Sequence, residues 1–218
     1  MRAVSGVRIE ELVIADEPAA WSALGFAVEG DACRVGSVPF RLAGRSAGRG
    51  LVGWTLSGIA GDQLDGLPTK RVGGAAAQDP TSDPPPHPNG VTALDHVVAI
   101  TPVLDPTVAA LEAAGLDLRR IREEPTPAGA PRQAFFRLGD VILEVVQAPE
   151  DAIERSGGPD GPAFFWGLAF KAADLDATVA FLGEGQCSPA RPAVQPGRRI
   201  ATLRRAAGLS VPVALLTE

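Results

Sequence analysis

The 218-residue chain has no tyrosine, one methionine, two cysteines and two histidines. Cys33 and Cys187 form no CxxC pair and are too few for a disulfide framework, so a reduced, cytoplasmic protein is expected. No run of eighteen apolar residues occurs, which removes a membrane-spanning helix. Glu10 and Glu11 interrupt the N-terminus too early for a signal-peptide apolar region. Basic residues are also in deficit. A net charge of −6 and a pI near 5.0 exclude a general nucleic-acid binder, which needs a basic face to neutralise phosphates. The acidic excess is spread along the chain and reads as solubility. There is no GxGxxG or P-loop, hence no nucleotide cradle. No Ser or Cys sits in a nucleophile elbow, and Cys187 lies in the loop-like run GQCSP. What remains is 45% apolar and 21% charged, enough for a packed core in one large or two small domains.

The chain contains a repeat. LDPTVAAL at 104–111 matches LDATVAFL at 175–182, each residue of the first lying 71 positions before its counterpart. The same offset sets His96, in the apolar strand LDHVVAI, against Gly167. Each copy reads as a strand followed by a helix. In the first helix Asp105 is the expected N-cap, Pro106 suits the first turn, and Leu104, Val108 and Leu111 recur at helical spacing before Gly115. In the second, Asp174 or Asp176 caps an apolar face of Leu175, Val179 and Leu182. Strand-like runs follow both helices: RQAFFRLGDVILEVVQ, then RRIATLRRAAGLSVPVALLT. Aligning their final strands sets Glu144 against Ala214, and Gln133 against Arg199.

The N-terminal segment reads as a third, shorter copy. IEELVIAD is its strand, Asp16 its helix cap, and Pro18 and Trp21 lie in its helix; Glu11 then falls where His96 lies and Thr55 where Glu144 lies. The expected organisation is an N-terminal βαβββ-like module at 6–60, a Pro-rich linker at 61–91 that leaves His87 solvent-exposed and inert, and a paired-module domain at 92–217. The fold class is α+β.

LDHVVAI, the LDPTVAAL helix and VILEVV together resemble the vicinal oxygen chelate superfamily, which includes glyoxalase I, bleomycin-resistance proteins, extradiol dioxygenases and methylmalonyl-CoA epimerase. The resemblance implies repeated βαβββ modules, two of them paired into a curled-sheet cleft. It also implies a divalent metal held by one residue from the first strand and one from the last strand of each module, acting as Lewis acid on two adjacent substrate oxygens. Carried onto this chain it gives His96 and Glu144 from one module, but Gly167 and Ala214 from the other, neither of which can ligate through a side chain. An open catalytic site generally keeps three protein ligands. Pairing of the first two modules instead would recover Glu11, His96 and Glu144, a His-plus-two-carboxylate set suited to Zn, Ni, Mn or Fe, with Thr55 leaving the fourth position open.

These residues set the functional expectations. His96 and Glu144 are the metal ligands or a metal-free general acid–base pair, because a carboxylate inside VILEVV needs a wet cleft, a cation or His96 to offset burial. Arg132, Gln133 and Arg199 are candidates to orient an anionic substrate, with at most one of each neighbouring pair facing inward on an alternating strand. Trp166 is a candidate apolar wall, though core packing is the commoner use of such a residue. The resemblance thus implies a glyoxalase-like protein acting on a small carboxylate or α-hydroxycarbonyl compound, or else a metal-free small-molecule binder of the bleomycin-resistance type. A lone N-terminal module needs cover for its sheet edge, which points to packing on the main domain or to a homodimer.

Overall fold

The computed structural model describes residues 6–73, 86–126, 129–155 and 158–218. The first strand, β1 (Arg8–Ile14), leads through α1 (Pro18–Ala23) to β2 (Val28–Glu29), β3 (Ala32–Val35) and β4 (Val38–Leu42). A 3₁₀ turn at Arg45–Ala47 precedes β5 (Leu51–Ser57) and β6 (Thr69–Val72). Then come β7 (Val91–Thr101), α2 (Leu104–Ala113), β8 (Asp117–Arg122), β9 (Gln133–Leu138), β10 (Val141–Gln147) and α3 (Glu150–Arg155). The chain closes with β11 (Phe164–Ala172), α4 (Leu175–Leu182), β12 (Arg191–Pro192), β13 (Arg199–Thr202), a second 3₁₀ turn at Arg205–Ala207, and β14 (Val213–Thr217). The fold is α+β with two mixed sheets, ordered β2-β3-β4-β1-β5-β6 and β12-β13-β14-β11-β7-β10-β9-β8.

Three βαβββ modules are complete: β1 to β4, β7 to β10 and β11 to β14. In each, the first and last strands pair in parallel, and the helix between them supplies the crossover that parallel pairing requires. The registers reveal a fourth, truncated module that the sequence reading had merged with the first. Strands β5 and β6 pair in parallel with Trp54 opposite Thr69, and Trp54 N donates to Pro68 O at 3.1 Å. The third complete module does the same: Leu168 lies opposite Val213, and Leu168 N donates to Pro212 O at 3.0 Å. Gly53 and Gly167 precede these residues, and a Cβ on either would meet that proline's carbonyl oxygen, at 3.2 Å and 2.9 Å respectively. In the truncated module a loop from 58 to 68 stands where the others have a helix and two strands. Asp65, at φ +49°, pins this loop: its carboxylate accepts from Thr107 of α2 at 2.5 Å and its carbonyl from Ala163 N at 2.9 Å. Strand β6 lies inside the segment read from sequence as linker; the proline-rich stretch itself falls largely at 74–85, outside the described residues.

The described residues divide into two compact units, each assembled from separate parts of the chain. Among the described residues, one draws on 6–10, 53–73 and 96–166; the other on 11–52, 86–95 and 167–218. The core of the first includes Trp54, Leu56, Val97, Leu104, Leu111, Phe136 and Leu143, with Phe165 edge-on to Trp54 at 4.9 Å. The second is organised around Trp21, Phe26, Phe40 and Phe170, whose centroids lie 4.8 to 6.1 Å apart in tilted and edge contacts. Such pairs add about 0.5–1.5 kcal/mol each beyond area burial.

Helix starts depart from expectation in two places. Asp105 lies in the first turn of α2, whose N-cap is Val103; Leu104 N instead donates to the Gln147 side chain at 3.3 Å. Asp16 does not cap α1. It is fully buried and accepts from Ser210 N at 2.7 Å and Trp21 Nε1 at 3.4 Å. Asp174 does cap α4, accepting from Ala177 N at 3.0 Å.

His87 is the clearest correction. It is buried at 7% exposure, sits edge-on to Phe26 at 5.4 Å, and its Nδ1 accepts from Ala27 N at 2.9 Å. Nδ1 can accept only while the ring is neutral at that nitrogen, and the Arg34 backbone, which favours the protonated ring, offsets only part of the cost of burial. Burial lowers the His87 pKa from its ordinary 6.5. Below that value the unfolded chain binds a proton that the folded chain resists, so stability is full above pH about 6.5 and declines as pH falls through the window beneath it. Urea midpoints measured between pH 5 and 8 are expected to show this decline in wild type and a shallower one in His87→Gln. Phe170→Ala, which empties the middle of the aromatic cluster, is expected to lower the unfolding free energy by about 3–5 kcal/mol in the same assay.

Candidate functional site

The parallel register decides which side chains stand together. In the second complete module Ile142 lies opposite His96, and Glu144 opposite Val98. The equivalent last-strand position in the first module is Arg41, opposite Val13. In the truncated module it is Lys70, opposite Thr55, and in the third it is Ala214, opposite Ala169. The first-strand counterparts are Glu11, Gly53, His96 and Gly167. Thr55 is therefore not the partner of Glu11: that place belongs to Arg41, whose Nε lies 3.4 Å from Glu11 Oε2. A recurring proline marks the entrance to three of the four last strands, in VPFR, LPTK and VPVA, while the fourth reads VILE. Pro39, Pro68 and Pro212 sit where a first strand residue need not donate to the ladder. This short signature was the available signal for Arg41 and Lys70.

Only the second complete module carries a histidine and a carboxylate at these two positions. His96 Nε2 lies 3.4 Å from Glu144 Oε2, with side chains 21% and 16% exposed, so the pair is reachable from solvent but largely desolvated. The other carboxylate oxygen, Glu144 Oε1, accepts from Gln133 Nε2. Gln133 is itself buried, and its Oε1 has no hydrogen-bond partner. Strand alternation explains the grouping. Arg132 turns toward α2, where it meets Asp105 at 2.8 Å, so Gln133 turns to the opposite face with Glu144. Val97, Leu143 and Val145, which alternate with the site residues, are completely buried.

The remaining candidates are placed elsewhere. Arg132 also forms a two-point pair with Glu123, at 2.7 and 3.0 Å. That hydrogen bonding holds the Glu123 carboxyl below its ordinary value and raises Arg132 above its own. Arg199 makes a two-point pair with Asp176 of α4, at 2.6 and 2.9 Å, lowering the Asp176 carboxyl and raising Arg199 by the same bonds. Asp105 and Asp176 are repeat counterparts, so Arg132 and Arg199 are equivalent clamps between strand and helix. The register confirms it by setting Ile200, not Arg199, against Gln133: Ile200 lies opposite Leu216 and Gln133 opposite Val146. Arg198 binds Asp95 at 3.0 Å, and Trp166 is half exposed. Among the described residues no three His, Cys, Asp or Glu side chains form a metal-holding group. Burial pushes the Cys33 thiol up to about 12 and raises Cys187 as well, which removes both as nucleophiles at neutral pH.

The Gln133–Glu144 contact has a measurable signature. Glu144→Leu strips the buried amide of its acceptor and lowers the unfolding free energy by about 1–3 kcal/mol. Gln133→Leu/Glu144→Leu, which removes both polar partners, is expected to be less destabilised than Glu144→Leu alone in equilibrium urea unfolding.

No family model matches the chain, and no curated protein matches it. Solved structures do. A xylose isomerase-like TIM barrel/4-hydroxyphenylpyruvate dioxygenase fusion protein aligns over 96% of this chain with a TM-score of 0.59 at 13% identity. This chain spans about half of that structure, 49% of its length. Methylmalonyl-CoA epimerase from Mycobacterium tuberculosis aligns over 59% of this chain and 89% of its own, at 23% identity and a TM-score of 0.47. Hypothetical protein BH1468 from Bacillus halodurans aligns over 57% of this chain and 93% of its own, at 16% identity and 0.46. With three complete βαβββ modules, a fourth in outline, and parallel first and last strands in all four, the chain has the fold of the vicinal oxygen chelate superfamily.

Proposed function

We propose that the protein is glyoxalase-like and acts on a small oxygenated molecule, a carboxylate or α-hydroxycarbonyl compound, at His96 and Glu144. The observation that carries this reading is the part-exposed His96–Glu144 contact at 3.4 Å, with Gln133 fixing the second carboxylate oxygen. The chemistry it suits is proton abstraction beside a carbonyl. One member of the pair accepts the carbon-bound proton, and the other holds the resulting charge in a site poor in water. Gln133 keeps the carboxylate from rotating, so its proton-accepting oxygen stays directed at the imidazole side.

The donor set fits a weakly held divalent ion such as Zn, Ni, Mn or Fe. His96 Nε2, the Glu144 carboxylate and Gln133 Oε1, a buried oxygen without a hydrogen-bond partner, would hold it. Such an ion would polarise the substrate carbonyl as a Lewis acid. Glu11, the third ligand of the sequence reading, is engaged with Arg41. A second reading, a metal-free binder of the bleomycin-resistance type, is favoured by Gly167 and Ala214. A Cβ at Gly167 would lie 2.9 Å from Pro212 O, so no ligating side chain fits at that position. In either reading the protein works in the cytoplasm on a small molecule, and a homodimer is the assembly we propose. Among the described residues no helix is long and apolar enough to cross a membrane.

The test is metal content of protein purified without chelator or metal-affinity tag, paired with solvent-deuterium exchange into small α-hydroxycarbonyl and carboxylate compounds followed by NMR. The proposal expects exchange that falls at least about 100-fold in both His96→Ala and Glu144→Ala. Bound metal that disappears in His96→Ala assigns the ion to this site. Absence of exchange, with and without added Zn, Ni, Mn or Fe, overturns the catalytic reading and leaves ligand binding.

A further inference from the structure

The second unit contains a basic cavity remote in sequence from His96 and Glu144. Two 3₁₀ turns with similar sequences, Arg45-Ser46-Ala47-Gly48 and Arg205-Ala206-Ala207-Gly208, border an open cavity of about 500 Å³, and Arg49, Leu209 and Ser210 complete its lining. That volume lies within the range of roughly 300–1,000 Å³ typical of small-molecule sites. The lining carries three guanidinium groups and no acid.

The turns are built to stay in place. Arg45 Nη2 donates to Gly208 O at 2.5 Å, and its Nε lies 3.5 Å from the fully buried Asp16 carboxylate. The same carboxylate accepts from Ser210 N at 2.7 Å. Ser210 Oγ accepts from Gly50 N at 2.8 Å and donates to Ala15 O at 3.3 Å. Glu17, the other carboxylate bonded to this region, accepts from Arg45 N at 2.9 Å. Asp16 and Glu17 are thus both used to hold the turns. Arg49 and Arg205 have no ion pair or side-chain hydrogen bond among the described residues, in contrast to Arg132, Arg198 and Arg199, each committed to a carboxylate. Two uncommitted guanidinium groups beside an anchored third, in a chain of net charge −6, make a local positive site against the overall field.

We infer that this cavity binds a multiply charged phosphate group. Arg45 is the fixed wall, and Arg49 and Arg205 close on the oxygens with the forked geometry that guanidinium groups offer to phosphate. This inference is independent of the function proposed for His96 and Glu144.

The experiment is calorimetric titration of sodium pyrophosphate into the full chain at low salt. Wild type is expected to bind saturably, and Arg49→Gln/Arg205→Gln at least tenfold more weakly with an unchanged melting temperature. Arg71→Gln/Arg191→Gln, which removes two exposed charges elsewhere, is expected to retain wild-type binding, as is His96→Ala. Absence of saturable binding by wild type overturns the inference. So does equal weakening in the two arginine double variants, which would reduce the effect to net charge.

Discussion

Parallel pairing between the first and last strand of each module is the constraint from which the rest of the structure follows. A parallel pair needs a crossover: in the three complete modules it contains a helix, which buries one face of the sheet, and in the truncated module it is the loop from 58 to 68. The opposite face is left to carry polar groups. Because side chains alternate with period two, a shift of one residue in that pairing would send every site residue into the core. His96 and Glu144 meet because Ile142 lies opposite His96 and Glu144 opposite Val98. The same register applied elsewhere brings Arg41 to Glu11, and it places Ala214 and Lys70 at the equivalent points of the other two modules.

One scaffold position has thus been given four chemistries. It is a His–Glu contact in the second complete module, a Glu–Arg ion pair in the first, a glycine with alanine in the third and a glycine with lysine in the truncated one. The steric constraint is tightest at Gly167, where a Cβ would lie 2.9 Å from Pro212 O, against 3.2 Å from Pro68 O at Gly53. At Gly53 and Gly167 the proline carbonyl of the partner strand comes close enough that a Cβ would crowd it. The first module keeps a Glu–Arg pair alongside Pro39, and the His–Glu contact occurs in the module where Ile142 stands in place of the proline. The surrounding arginines divide by the same logic: those on the helix-facing side of their strands are spent clamping helices, and those on the 3₁₀ turns are not.

Much of this was legible in the chain. The 71-residue offset identified the two similar modules, and their helices lie at Leu104–Ala113 and Leu175–Leu182, on the repeated LDPTVAAL and LDATVAFL runs. His96 and Glu144 were selected from strand position, and they are in contact. The helix starts were less legible. Asp105 and Asp16 have the right chemistry for caps, but an arginine on the neighbouring strand and a distant backbone N–H compete for their carboxylates. His87 was read from its proline-rich neighbours, which say nothing about the aromatic pocket and the Ala27 N–H waiting for it.

The sequence by itself determined the α+β class, the repeated modules, the apolar strands and the residues with chemistry to offer. These are local properties, carried by periodicity, composition and spacing within a few dozen residues. The tertiary structure decided the rest: a fourth module reduced to two strands, the pairing of Arg41 with Glu11, the burial of His87, and the meeting of two arginine turns some 160 positions apart in the chain. Each depends on strand register or on contacts between distant segments. A sequence carries no local mark of such contacts, because the partner that determines a residue's role lies in another part of the chain.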